Sequence, residues 1–325
     1  MLNISSFSKR SFSSLTYSGA LVRGLPSTFA SSAIRSSSEV KIDGALAVKQ
    51  HERYVEVLRS CLPKDATIIV VPAEEECPDS VFIEDTAVVL RGKGLVALPG
   101  AKSRRSEVSG TAAALKSLGI STVSLQAPGT LDGGDVLWTG REFFCGLSER
   151  TNIIGVEALR GAFPGVRVTP VPLKELTRVS HREAVARLAH STARDNAYPE
   201  FVSTGKGTLH LKSILSMVGF DTLAVANTPL GRAVLDFILN NSGVPKDVRA
   251  AGGKLTYFLI PASESAAANA LLVNESLIVR SSKEFPQSVE LYREHAKEAG
   301  LKVIEVDVGE FAKADGALTC CSILV

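Results

Sequence analysis

The chain has 325 residues, 45% apolar and 22% charged, with a formal net charge of +2. That length suffices for one large domain or two small ones with a sizeable core, and the near-neutral balance argues against a nucleic-acid partner. No apolar run reaches the ~18 residues of a membrane helix, and five cysteines without framework spacing point to a reducing compartment.

Residues 1–38 lack acid, are rich in Ser and carry Lys9, Arg10, Arg23 and Arg35, a composition compatible with mitochondrial import. Leu15 to Val22 nevertheless reads as a strand and Pro26 to Ser38 as a small-residue loop. Only about a dozen residues then remain for targeting, so the expected location is the cytoplasm, with import left open. A helix is predicted over Ile42 to Leu62, where Ala47, Tyr54, Val55, Leu58, Cys61 and Leu62 form an apolar stripe. Thr67 to Val71 follows as a strand.

A pattern then recurs. A turn bearing acid or amide precedes a strand; a tight turn, a second strand, a helix and a third strand follow. The first clear copy runs Glu84–Leu90, Leu95–Leu98, a helix over 103–118 and Thr122–Leu125. The second runs Asp132–Trp138, Phe143–Gly146, a helix over 149–163 and Arg167–Val171. The third runs Leu209–Met217, Leu223–Val225, a helix over 229–241 and Leu255–Ile260. The fourth runs Ala267–Val273, Leu277–Val279, a helix over 286–298 and Val303–Val306. The last wraps round, Cys320–Val325 pairing with Ala20–Arg23. Repeats of this period indicate radial or solenoid arrays. Five such modules make a closed α/β propeller with pseudo-fivefold symmetry, one catalytic domain over 1–325, in which the turns before each first strand converge near the axis. An ordinary mixed α/β sheet is the plainer alternative. Residues 173–206 break the period. Ser180-His181-Arg182-Glu183 spells a capping box, so an inserted surface helix ending near Ala193 is predicted, with His181 and His190 facing solvent.

The vicinal Cys320 and Cys321, taken alone, read as small buried hydrophobes. No C-x-x-C is present, so neither a zinc knuckle nor a thioredoxin motif is available. A thiol that is neither structural nor metal-binding is a nucleophile candidate, and it needs a base and a group to orient that base. Of the five histidines, only His210 begins a predicted strand, level with Asp132, Glu84 and Cys320 in the repeat. Asp79, Glu84 and Asp85 cluster before a strand and suit a cation. Arg104 and Arg150 each fall just after a second strand at a helix start, where the dipole favours acid; the pair could hold a carboxylate, or each could be a surface residue.

These motifs, in order along nearly the whole chain, resemble the dimethylarginine dimethylaminohydrolase family of guanidine-modifying α/β propellers. The matching stretches are Arg23 to Pro26, Pro78 to Asp85, Pro99 to Arg105, Leu131 to Leu137, Gly140 to Asn152, Leu209 to Ser213 and Asp315 to Ser322. The 173–206 segment departs from the family pattern. The resemblance implies Cys320 as nucleophile, His210 as general acid/base and Asp132 orienting His210. It implies Glu84 and Asp85 against the guanidinium, and Asp79 with the carbonyls of Ile34 and Ala314 at the α-ammonium. Arg104 and Arg150 would clamp the α-carboxylate. The implied partner is a methylated arginine, hydrolysed to citrulline through a covalent thiouronium, with no cofactor and no metal. The implied state is a monomer or homodimer, with no membrane or nucleic-acid contact. Pro26 to Ser38 is the expected lid. Rival readings are an arginine deiminase or amidinotransferase on the same scaffold, a non-catalytic propeller that binds a partner, and a zinc protein using Cys320 and His210, for which no third ligand is evident.

If a strand begins at the vicinal cysteines, alternation sends Cys320 to the axis and Cys321 into the layer between sheet and helices.

Overall fold

A computed structural model describes residues 16–35, 39–190, 210–243 and 255–325, with the backbone alone for 183–190. The first strand β1 (Gly19–Arg23) leads through the short helix α1 (Phe29–Ser32) and helix α2 (Gly44–Cys61) to β2 (Thr67–Val71), parallel to β1. The second unit is β3 (Ala87–Leu90), β4 (Lys93–Val96), α3 (Val108–Ser117) and β5 (Ser121–Ser124). The third is β6 (Val136–Trp138), β7 (Phe143–Gly146), α4 (Ile153–Ala162) and β8 (Val168–Val171). Helix α5 (Leu173–His190) stands between it and the fourth, β9 (Leu215–Gly219), β10 (Thr222–Ala226), α6 (Pro229–Asn241) and β11 (Thr256–Ile260). The fifth is β12 (Leu271–Val273), β13 (Ser276–Arg280), α7 (Pro286–Ala299) and β14 (Lys302–Val306). After α8 (Gly309–Ala312), β15 (Ile323–Leu324) returns to pair antiparallel with β1, setting Ile323 against Leu21.

The described strands therefore form five three-stranded sheets of one design. Each has an antiparallel pair and a third strand parallel to the middle one, reached through helix. Three of the helices start at a side-chain cap. Asp43, Asn152 and Thr228 accept from the backbone N–H groups of Leu46, Gly155 and Gly231, satisfying donors that a helix start leaves open. Helix α7 stops at Gly300, which takes the left-handed conformation. Apolar residues fill the space between sheets and helices, and Phe29, Phe82 and Phe311 stack together beneath α1, with ring centroids 5.4–6.2 Å apart. No helix among the described residues is long and apolar enough to cross a membrane.

Two expectations change. First, each predicted first strand is shorter and is preceded by a 3₁₀ turn: Ile83–Thr86, Gly133–Asp135, Leu211–Ser213, Ala262–Ala268 and Thr319–Cys321. The chemistry-bearing residues sit in or beside these turns, so alternation between two strand faces does not govern where they point. Cys320 and Cys321 still diverge, because a 3₁₀ turn rotates successive side chains by a third of a circle. Cys321 is buried in the core while Cys320 is half-buried at a cavity.

Second, α5 begins at Leu173, seven residues before the predicted cap. Ser180 is buried in mid-helix, so the capping box is not used as one. The helix packs against α6, and Leu173 and Leu176 join the core beneath it. His181 is half-buried; the predicted end near Ala193 and the residues up to Leu209 lie outside the described residues.

Candidate active site

The 3₁₀ turns of different units meet. The Ile83–Thr86 turn touches both Gly133–Asp135 and Thr319–Cys321, and Gly133–Asp135 touches Leu211–Ser213. Together they form a thin floor with a cavity on each side. On one side lies a small cavity of about 60 Å³, lined by Cys320, His210, Asp85, Asp79, Arg104 and Arg150, with Ile34 and Ala314 at its edge. On the other lies a larger one of about 340 Å³, walled by β3, β6, β9, β12 and β15. The chemistry belongs to the small cavity, where the thiol, imidazole and carboxylate converge.

The floor is two-faced because neighbouring residues in a 3₁₀ turn point apart. Asp85 faces the small cavity and Glu84 the large one. His210 and Lys212 divide in the same way, as do Cys320 and Thr319. Glu84 accepts from Lys212 Nζ at 2.6 Å and from Thr319 Oγ1 at 2.9 Å. Of the residues expected at a guanidinium, the structure therefore brings Asp85 to the thiol and turns Glu84 away into the floor.

Asp132 stands behind His210 rather than at the cavity. Its Oδ2 lies 3.0 Å from His210 Nε2, and its Oδ1 accepts the Gly100 N–H at 2.8 Å. The ring packs so closely on the 133–135 turn that a Cβ at Gly134 would lie 2.7 Å from Nδ1. Glycine is required there for the approach. Burial alone would depress the imidazole; the charge on Asp85, the hydrogen bond that the ring donates to Asp132 and the charges on Asp135 and Asp132 outweigh it and lift the pKa to about 9. His210 is therefore an imidazolium at neutral pH. Burial pushes Asp85 up, but His210 and Arg104 beside it hold it down, at about 2. Burial, reinforced by the charges on Glu84 and Asp85, drives the Cys320 thiol well above its ordinary value. The resting site is a neutral thiol beside an imidazolium–carboxylate network.

The two arginines differ. Arg104 is buried and donates Nε to Glu107 at 3.0 Å, Nη1 to Asp85 at 2.6 Å, and Nη2 to Glu107 at 2.9 Å and the Phe82 carbonyl at 2.8 Å. Arg150 is half-buried, and its guanidinium has no ion pair or hydrogen bond among the described residues. At the rim, both Asp79 carboxylate oxygens accept the Ile34 N–H, at 3.0 and 3.3 Å. Ser27 and Thr28 of the same loop are tied to Glu75. At about 60 Å³ the cavity holds roughly two waters in the ligand-free protein.

Asp85, Asp132 and His210 also offer ligand atoms within 4.8 Å of one another, a cluster that sequence spacing did not reveal. Each of their carboxylate oxygens already has one partner, among Arg104, Gly134, Gly100 and His210. Phe82, Asp315 and Gly316 complete the small cavity and were not anticipated. Asp135, absent from the sequence-predicted site, is fully buried beside His210. The doubled acid of Asp132-Gly133-Gly134-Asp135 was the available signal.

The chain is similar to known proteins in both sequence and structure. The family described as "N,N dimethylarginine dimethylhydrolase, eukaryotic" matches residues 26–185. The chain is 32% identical over 306 residues to the N(G),N(G)-dimethylarginine dimethylaminohydrolase of Streptomyces coelicolor, covering 94% of this chain and 95% of that one. Its structure resembles that of a Pseudomonas aeruginosa DDAH mutant complexed with citrulline, with a TM-score of 0.69 and 26% identity, covering 95% of this chain and 100% of that one. The N-terminal domain of ArgZ, a cyanobacterial arginine dihydrolase, superposes with a TM-score of 0.69 at 18% identity over 94% of this chain and 97% of that one, a likeness of fold.

Proposed function

The chain belongs to the dimethylarginine dimethylaminohydrolase family, and from that premise we propose that it hydrolyses the guanidine C–N bond of asymmetric dimethylarginine and monomethylarginine. The products are citrulline and dimethylamine or methylamine. One observation carries the reading: Cys320, a charged His210 and Asp85 face one small cavity that Arg150 also enters with its guanidinium unspent.

The substrate guanidinium lies against Asp85, and its α-carboxylate meets Arg150. Asp79 takes the α-ammonium once the Ile34 N–H releases it. Arg104 acts one step back, holding Asp85. The incoming cation offsets the carboxylates that keep the Cys320 proton in place, and the thiol loses that proton to solvent. The thiolate attacks the guanidinium carbon, forming a C–S bond. His210 gives its proton to the substituted nitrogen, the C–N bond breaks, and the amine departs. A thiouronium remains on Cys320. Neutral His210 then takes a proton from water, whose oxygen attacks the same carbon, and the C–S bond breaks to release citrulline. Asp132 keeps the ring aimed throughout.

We further infer that the five sheets close into a ring with approximate fivefold symmetry, forming one domain with 173–206 inserted in it. Contacts of β3 with β15, of β6 with β9 and of β9 with β12 support that arrangement.

The deciding assay compares citrulline formation from dimethylarginine, monomethylarginine and arginine, each with and without chelator. Turnover of the methylated substrates, undiminished by chelator, is expected. Faster turnover of plain arginine makes the chain a deiminase; loss with chelator restored by zinc removes the metal-free mechanism.

A further inference from the structure

Asp135 is fully buried and lines neither cavity, yet it is hydrogen-bonded to the segments that carry His210 and Arg150. Its Oδ1 accepts the Leu211 N–H at 3.0 Å, one residue beyond His210. Its Oδ2 accepts the Ser148 hydroxyl at 2.5 Å. Ser148 Oγ in turn accepts the N–H groups of Arg150 at 3.0 Å and Thr151 at 3.1 Å. The Thr151 hydroxyl accepts the Asp132 N–H at 3.1 Å. One carboxylate thus anchors the backbone that carries His210 and, through Ser148, the turn that carries Arg150.

The surrounding packing leaves it no alternative. A Cβ at Gly146 would sit 2.8 Å from Asp135 Oδ1 and 3.1 Å from Leu211 Cβ, so β7 keeps a glycine there and the carboxylate lies flat against the strand. Ser148 has no freedom either. Its oxygen already accepts two backbone donors, so its own proton must go to an acceptor, and Asp135 is that acceptor.

We propose that Asp135 is a positioning residue that locks the general acid His210 and the carboxylate-binding Arg150 into one unit, so that proton donor and substrate clamp hold a fixed distance. This rests on the roles given to those two residues above. The carboxylate also adds to the negative field on the imidazole, together with Asp85 and Asp132. Its own pKa, raised by burial to about 6, leaves it ionised when His210 is charged.

Asp135→Asn separates positioning from bulk support. The amide keeps an acceptor for Leu211 but cannot accept the Ser148 proton. In the ligand-free protein, His210 followed by NMR of labelled imidazole should titrate at lower pH than in the wild type. Citrulline binding by calorimetry should weaken about tenfold, the equivalent of roughly one hydrogen bond to a charged group. Ser148→Ala should weaken citrulline to a similar extent and leave the His210 titration where it was. Should Asp135→Asn not fold, Gly146→Ala disturbs the same carboxylate without removing it and should move both readouts. Wild-type titration and wild-type affinity in Asp135→Asn or Gly146→Ala overturn the proposal, and so does a shifted titration in Ser148→Ala. The titration needs no turnover. If methylarginines are not hydrolysed and citrulline does not bind the wild type, while the His210 shift appears, the functional reading fails and the link from Asp135 to His210 stands.

Discussion

The turns at 102–107 and 148–152 occupy the same place in neighbouring units, between a second strand and its helix, and each carries an arginine that enters the small cavity. Their fates differ. Arg104 lies in a 3₁₀ turn, reaches Glu107 three residues on, and spends the rest of its guanidinium on Asp85 and two carbonyls. Arg150 lies in a loop closed by Ser148 and capped by Asn152, which direct its backbone and leave its guanidinium without a protein partner among the described residues. A guanidinium has five N–H donors in a fixed fork, so each bond made inside the protein is one a ligand cannot use. Positional equivalence therefore implies shared location and not shared function: one arginine builds the site and the other is free to bind.

That contrast is most easily broken by stability. Arg104→Ala leaves Asp85 and Glu107 buried without their cation, and removing one partner of a buried pair costs on the order of 3–5 kcal/mol. The variant should melt well below the wild type in thermal or urea unfolding and lose turnover with it. Arg150→Ala removes no hydrogen bond or ion pair among the described residues and should melt with the wild type. Equal melting of the two variants would erase the distinction.

The next effect is on binding. Arg150→Ala should raise KM for dimethylarginine by roughly thirtyfold, for a lost charged hydrogen bond of about 2 kcal/mol, with kcat little changed. Steady-state kinetics on the folded variant decide it. A change in kcat without one in KM would mean that Arg150 acts on the reacting carbon and not on the α-carboxylate.

The sequence reading located most of this site because its residues lie in short motifs repeated at equivalent places. Cys320, His210, Asp79, Asp85 and Arg150 reach the small cavity as their motifs implied, with Asp132 behind the imidazole. The resemblance sent both Glu84 and Asp85 to the guanidinium, whereas in the 3₁₀ turn the two diverge and only Asp85 lines the small cavity. It also treated the two arginines alike. The Arg104–Glu107 spacing was visible in the chain; the Phe82 carbonyl and the Asp85 carboxylate reach Arg104 only through tertiary folding. The doubled acid marks Asp135 in the sequence, but its role is hidden for the same reason, since its Leu211 partner lies 76 positions away. Local chemistry was legible, and saturation, which needs every partner placed, was not.

The smallest expected effect sharpens the comparison through pH. The Arg104 turn pins Asp85, and Asp85 is the foremost charge lifting His210 to about 9. The Arg150 turn carries no charge of that kind. His210 acts as an acid, so it works while protonated, and kcat/KM should fall as pH rises through about 9. Arg150→Ala should leave that alkaline limb in place even as KM rises. In Asp85→Asn the carboxylate charge is gone while an acceptor for Arg104 remains. The limb should then move down toward the ordinary imidazole value, with part of the elevation retained from Asp132 and Asp135. The shift is modest because three carboxylates share the task and only one is removed. A limb that stays near 9 in Asp85→Asn, or that moves in Arg150→Ala, would show that the His210 charge is set elsewhere and that the division between the two turns does not extend to the acid.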